Sequence, residues 1–175
     1  PKVAGIVVLA RLLAVIGPTA TPELLWRLLV VLAALTMTVG NVMALWQTNL
    51  RRLLACSSIA HAGYLLVGLA AAAAAPSVAP GLLATGGLSA TLFYLATYAI
   101  ATIGVFGALA YLGHRWPEWT SGSGPRPPRE EISTVDDLDG LSGTNPVAAC
   151  AIAVFLLSLA GIPPLPGFWG KLTLA

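Results

Sequence analysis

Charge is what this chain has least of. Nine basic and seven acidic side chains are spread over 175 residues, and no basic cluster is larger than Arg51-Arg52. Nothing in it is patterned to hold nucleic acid. Cysteine is nearly absent as well. Cys56 and Cys150 each stand in an apolar run without a CxxC partner, and read as small packing residues rather than a disulfide or a metal site. The chain has no GxGxxG turn, no phosphate-binding loop and no cysteine ligand set. It is therefore expected to bind neither NADH, flavin (FMN) nor an iron–sulfur cluster. No cleavable signal sequence is legible.

Hydrocarbon takes the place of charge. The chain is 57% hydrophobic with a mean hydropathy of +0.85, far from the pattern of a water-soluble domain. Nine of the charged residues fall between Arg115 and Asp139. The expectation is an all-α, polytopic transmembrane helix bundle in a lipid bilayer, with one polar loop over residues 113–145. The chain opens on Pro1 and stops in an apolar stretch at Ala175, so it is expected to be a piece of a longer protein.

Five apolar segments follow in order. The first, Val3 to Ile16, ends at the helix stop Gly17-Pro18 and carries Lys2 and Arg11 on opposite faces. The second, Leu24 to Trp46, follows Thr21-Pro22-Glu23, a helix start with Thr at the cap and Pro at the first position. Thr36, Thr38, Gly40 and Asn41 in its far half predict close packing and hydrogen bonds to a neighbouring helix. Trp26 and Trp46 bracket it as interfacial anchors would. The third runs from Leu53 to Ala75, and an uncharged connection, 75–87, leads to the fourth, Leu88 to Leu112. That segment bears a polar stripe of Tyr94, Thr97, Tyr98 and Thr102. Loop 113–145 is predicted to be solvated and flexible.

The fifth segment is broken. The run Val147 to Ala160, as a helix, covers about 21 Å, short of the bilayer's hydrocarbon thickness of about 30 Å. Gly161-Ile-Pro-Pro-Leu-Pro-Gly then interrupts it, and Lys171 follows. Two readings are open from these residues alone. One is a helix broken within the membrane, which puts Lys171 near the midplane, as ion-moving proteins do. The other is a helix end, a proline-rich loop and a surface lysine. Lys2 is similarly open between a buried carrier and a lysine snorkelling to the interface.

The third segment has the densest polar cluster within an apolar run. Ser57, His61 and Tyr64 share one face at i, i+4 and i+7, with Ser58 beside them. Such a face is costly against lipid and should point into the bundle. It serves helix–helix hydrogen bonding or, because His61 can exchange protons near neutral pH, a proton relay. Alternation of the segments puts Arg51-Arg52 and loop 113–145 on one side, the cytoplasmic side by the positive-inside bias.

The run GNVMALWQTNLRRLLACSSIAHAGYLLVGL, from Gly40 to Leu69, resembles the antiporter-like subunits of bacterial respiratory complex I. So does LSLAGIPPLPGFWGKL, from Leu157 to Leu172, and, with PKVAGIVVLARLL at the start, the likeness is closest to the subunit N group. The resemblance covers all but the loop, and the motifs stand in the right order. It implies the second half of an antiporter-like fold, with residues 1–175 as a partial transmembrane domain. By resemblance, Lys2 falls on the family's central proton-carrying lysine, Lys171 on the terminal one, and His61 on a histidine able to connect them. The family commonly has Lys where Arg51 stands and Tyr where Cys56 stands. An arginine holds its proton at any biological pH, so Arg51 can hold charge or order water but not pass its proton on.

The function implied is proton translocation through intramembrane lysines, coupled to quinone reduction in other subunits. Burial destabilises a lysine's charged form and brings it within reach of proton release. On this reading NADH, FMN, iron–sulfur clusters and the quinone site belong to partner subunits of complex I. An Mrp-type cation/proton antiporter subunit would use the same lysines, and a purely structural membrane subunit would use none.

Overall fold

The computed structural model describes residues 2–16, 22–78, 82–119 and 134–174. They form α1 (Lys2–Ile16), α2 (Pro22–Leu45), α3 (Leu50–Val78), α4 (Leu82–Trp119), a 3-10 turn (Asp136–Leu138), α5 (Leu141–Thr144), α6 (Pro146–Ala160) and α7 (Pro166–Leu174). No strand occurs among the described residues. Three spans, Glu23–Leu45, Leu50–Ala74 and Gly86–Gly113, are long and apolar enough to cross a membrane. The protein is a multi-pass membrane helix bundle.

Local signals set the helix boundaries. Pro22 opens α2, its fixed φ already suited to a first helical residue. Asn49 caps α3, where its Oδ1 accepts the backbone N–H groups of Arg51 (3.1 Å) and Arg52 (3.2 Å). The predicted cap Thr21 lies outside the described residues. Pro146 sits in the first turn of α6. The alanines after Leu69 favour helix strongly, so α3 continues to Val78 and α4 begins at Leu82. The 75–87 connection is correspondingly shorter than the sequence suggests.

α3 and α4 form the centre. α1 and α2 pack on α3, α6 and α7 pack on α4, and α7 also reaches α3. The close approach of α2 and α3 depends on Gly40, where a Cβ would stand 2.7 Å from the backbone nitrogen of Ala60. One apolar cluster joins Leu29 and Ala33 of α2 to Leu66, Leu69 and Ala70 of α3. Another joins Leu50 and Leu54 of α3 to Val105 and Leu112 of α4, Leu141 of α5, and Ala148 and Ile152 of α6. Outward side chains such as Val8, Val31 and Ile103 are exposed and apolar, as a surface facing lipid or other apolar helices must be.

Two expectations need correction. Thr36 and Thr38 do not bond to a neighbouring helix. Thr36 Oγ1 donates to the carbonyls of Leu32 and Ala33, and Thr38 Oγ1 donates to Ala34 O. A threonine in a helix finds the preceding turn's carbonyl nearer than any partner across the interface. The region 113–145 is not wholly an irregular loop either. α4 runs on to Trp119, and the far end folds into the 3-10 turn and α5, with Leu141 buried. The Thr134 N–H donates to Asp137 Oδ2 (2.8 Å). The Val135 N–H donates to Thr48 O (3.3 Å), and Asn49 and Thr134 make an antiparallel bridge. The α2–α3 link and this segment therefore share one end of the bundle.

Candidate functional site

The break between α6 and α7 is closed by a complete set of partners for the last carbonyls of α6. Gly161 adopts the left-handed conformation at φ 85°, which a glycine takes without steric cost. This lets the Gly161 N–H reach Leu157 O and Ser158 O, while the Ile162 N–H also reaches Leu157 O. Leu159 O and Ala160 O have no such backbone donor, and Lys171 serves them. Its Nζ donates to Leu159 O at 2.8 Å and Ala160 O at 3.0 Å. A helix C-terminus carries partial negative charge, so an ammonium is well placed there. Lys171 is thus no surface lysine after a loop; it folds back from α7 onto the end of α6.

From Lys171 a row of polar side chains leads to Lys2. The Lys171 Nζ lies 5.1 Å from the centroid of the Tyr64 ring, a cation–π distance. Tyr64 and Tyr94 stack edge to face at 6.1 Å. His61 stands among three tyrosines. Its ring centroid is 6.2 Å from Tyr64, 6.1 Å from Tyr94 and 5.0 Å from Tyr98. His61 Nδ1 and Tyr94 Oη share a hydrogen bond of 2.5 Å, the imidazole tautomer deciding which of them donates. Lys2 Nζ then donates to Tyr98 Oη at 3.3 Å. The two lysines, 169 positions apart in the chain, meet one buried histidine through tyrosine side chains.

Burial differs along the row. His61, Tyr94 and Tyr98 are buried, and Tyr64 and Lys171 are half-buried. Lys2 is exposed apart from its tyrosine contact. It opens into a cleft of about 470 Å³, lined also by Arg51, Ser57, Ser58, Tyr98 and Thr102. Ser58 Oγ donates to Ala55 O at 2.8 Å within its own helix. A much smaller void of about 10 Å³ lies among His61, Tyr94, Thr97, Tyr98 and Ser158.

Of the residues singled out from sequence, Lys2, His61, Tyr64 and Lys171 come together in this row. Arg51, Ser57 and Ser58 gather instead around the cleft on the Lys2 side. Tyr94 and Tyr98 were legible only as part of a polar stripe, and their partnership with His61 and Lys2 was not. The signal was a stripe facing another stripe: i, i+3 and i+4 polar positions on α4 opposite i, i+4 and i+7 on α3. Ser158 carried no sequence signal. Among the described residues, no group of three or more His, Cys, Asp or Glu side chains could hold a metal ion.

A family model described as NADH:quinone oxidoreductase/Mrp antiporter, TM, matches residues 1–175. The chain is similar to the NADH-quinone oxidoreductase subunit N of Salinibacter ruber, 47% identical over 153 residues, which are 87% of this chain and 26% of that protein. The subunit N of Trichlorobacter lovleyi is 41% identical over 174 residues, 98% of this chain and 30% of that protein. A subunit N of Chloroherpeton thalassium is 41% identical over 177 residues, covering 98% and 30%. The chain spans less than a third of the length of these relatives.

Proposed function

The chain belongs to the NADH:quinone oxidoreductase/Mrp antiporter transmembrane family, and we propose that it is part of a complex I membrane subunit of the subunit N kind that moves protons between Lys2 and Lys171. The observation that carries this reading is the row Lys2–Tyr98–His61–Tyr94/Tyr64–Lys171, in which hydrogen bonds join Lys2 to Tyr98 and His61 to Tyr94, and ring contacts join the rest. Every member can donate or accept a proton, and ionisable residues within an apolar bundle mark proton paths in pumps and transporters. Lys2 and Lys171 are the charge-holding stations, and His61, whose imidazole can take up and give back a proton, is the group between them. Arg51, Ser57 and Ser58 hold charge and water at the Lys2 cleft. Tyr64 steadies the ammonium of Lys171.

On this reading the chain has no redox site. NADH, FMN, iron–sulfur clusters and quinone act on partner subunits, and the charge change from quinone reduction there sets the lysines' protons moving. The partners are the other membrane subunits of complex I, in the inner membrane of a bacterium. The shared end of the bundle, with Arg51-Arg52 and residues 134–144, faces the cytoplasm, in keeping with the positive-inside bias.

In the full-length subunit within its complex, Lys171→Met should reduce NADH-driven proton pumping at least ten-fold while the complex still assembles. Normal pumping by that variant contradicts the role. Lys2→Arg is the companion test, since an interfacial anchor tolerates arginine and a proton carrier does not. The family description also names Mrp antiporters. Sodium-dependent proton movement without NADH oxidation would favour that second reading.

A further inference from the structure

α6 and α7 cross where Ser158 meets Gly167. The Gly167 N–H, in the first turn of α7, donates to Ser158 Oγ at 3.3 Å. A Cβ on Gly167 would collide with the Ser158 carbonyl oxygen, so the two half-helices touch backbone to backbone. The first N–H groups of any helix lack intrahelical partners. Ser158 therefore caps α7 from across the break, with a side chain that belongs to another helix. Both groups are buried, where an amide left without a partner is costly.

The crossing point governs Lys171 by simple helix geometry. Lys171 follows Gly167 by four residues, so both lie on the face of α7 that meets α6. Ser158 immediately precedes Leu159 and Ala160, the residues whose carbonyls receive the ammonium. Register at Ser158–Gly167 thus sets the distance between Nζ and its two carbonyl acceptors. Gly161 leaves room for the side chain to pass, a Cβ there standing 3.0 Å from Lys171 Cδ.

We propose that Ser158 is a positioning residue for Lys171: by capping α7 it holds the ammonium against the last carbonyls of α6. The role rests on the proton-moving reading of Lys171. Ser158 passes no proton itself; it fixes where the lysine's proton is held and released.

The test compares Ser158→Ala and Ser158→Thr with Lys171→Met in the full-length subunit within the intact complex. Complex content and quinone reduction with an uncoupler present serve as controls for assembly. One hydrogen bond is worth about a five-fold change in an equilibrium, so Ser158→Ala, acting on Lys171 through the position of α7, should shift the pH profile of proton pumping by up to about 0.7 pH unit. Ser158→Thr, which keeps the hydroxyl, should return the profile to that of the unmodified complex. A residue that only packs would lower pumping equally at every pH, and that result, or an unchanged profile, overturns the proposal. If Lys171→Met abolishes pumping while Ser158→Ala leaves the profile unmoved, only the role of Ser158 fails. If Lys171→Met pumps normally, the reading of Lys171 has failed first.

Discussion

Lys171 finds its partners at a helix end. An ammonium in an apolar bundle needs acceptors, and the broken α6 offers two carbonyls with no backbone donor among the described residues, Leu159 O and Ala160 O. The same break that exposes the carbonyls positions the lysine to meet them. At the other end of the row, Lys2 donates to one phenol among the described residues, Tyr98. Tyr98→Phe keeps the ring beside His61 and Lys2 but removes that acceptor. A hydrogen bond contributes about 1 kcal/mol, so proton pumping should fall about five-fold with the complex still assembled. Pumping equal to the unmodified complex would show that Lys2 works without the phenol. The lysines and the histidine were legible in the sequence because each is an ionisable residue in an apolar run. Their tyrosine partners were not, because Tyr94 lies 33 residues from His61 and Tyr98 lies 96 from Lys2. Local spacing gives the face of a helix but not the helix it faces.

The elements show the same division between local and distant information. The break at Gly161 was readable from length and from its glycines and prolines, and α6 ends there as expected. Gly161→Ala should both strain the left-handed residue, by roughly 1–2 kcal/mol, and press on Lys171 Cδ. The expected outcome is a loss of pumping greater than the loss of thermal stability of the complex. A stability loss with unchanged pumping would show that the break tolerates a shifted lysine. The hydroxyls of Thr36 and Thr38 were misjudged because composition cannot tell a bond to the preceding turn from one across an interface. α4 outran its predicted end at Leu112 because hydropathy falls before helical hydrogen bonding does. Composition registers the water boundary, and the helix continues past it to Trp119.

At the scale of the whole molecule, the two central helices α3 and α4 carry the histidine and the tyrosines, while α1 and α7 bring Lys2 and Lys171 to the two ends of the row. The membrane class and the segment order follow from scarce charge and long apolar runs. The arrangement of helices does not, since every outward face is similarly apolar and hydropathy carries no pairing information. The tie between Thr48–Asn49 and Thr134–Val135 makes a prediction about topology. In a background with Cys56→Ala and Cys150→Ser, cysteines introduced one at a time at Arg52 and Gly140 should react with a membrane-impermeant maleimide from the same side. That side should be the cytoplasmic one, and labelling from opposite sides would contradict the bundle's polarity.

The central claim is that His61 carries protons between the two lysines rather than only packing α3 against α4. Glutamine at position 61 separates the two, because it still hydrogen-bonds Tyr94 but, unlike an imidazole, cannot take up and release a proton. The decisive measurement is NADH-driven proton uptake by vesicles containing the complex with His61→Gln, normalised to assembled complex. The account predicts at least a ten-fold loss; uptake at the level of the unmodified complex would contradict it.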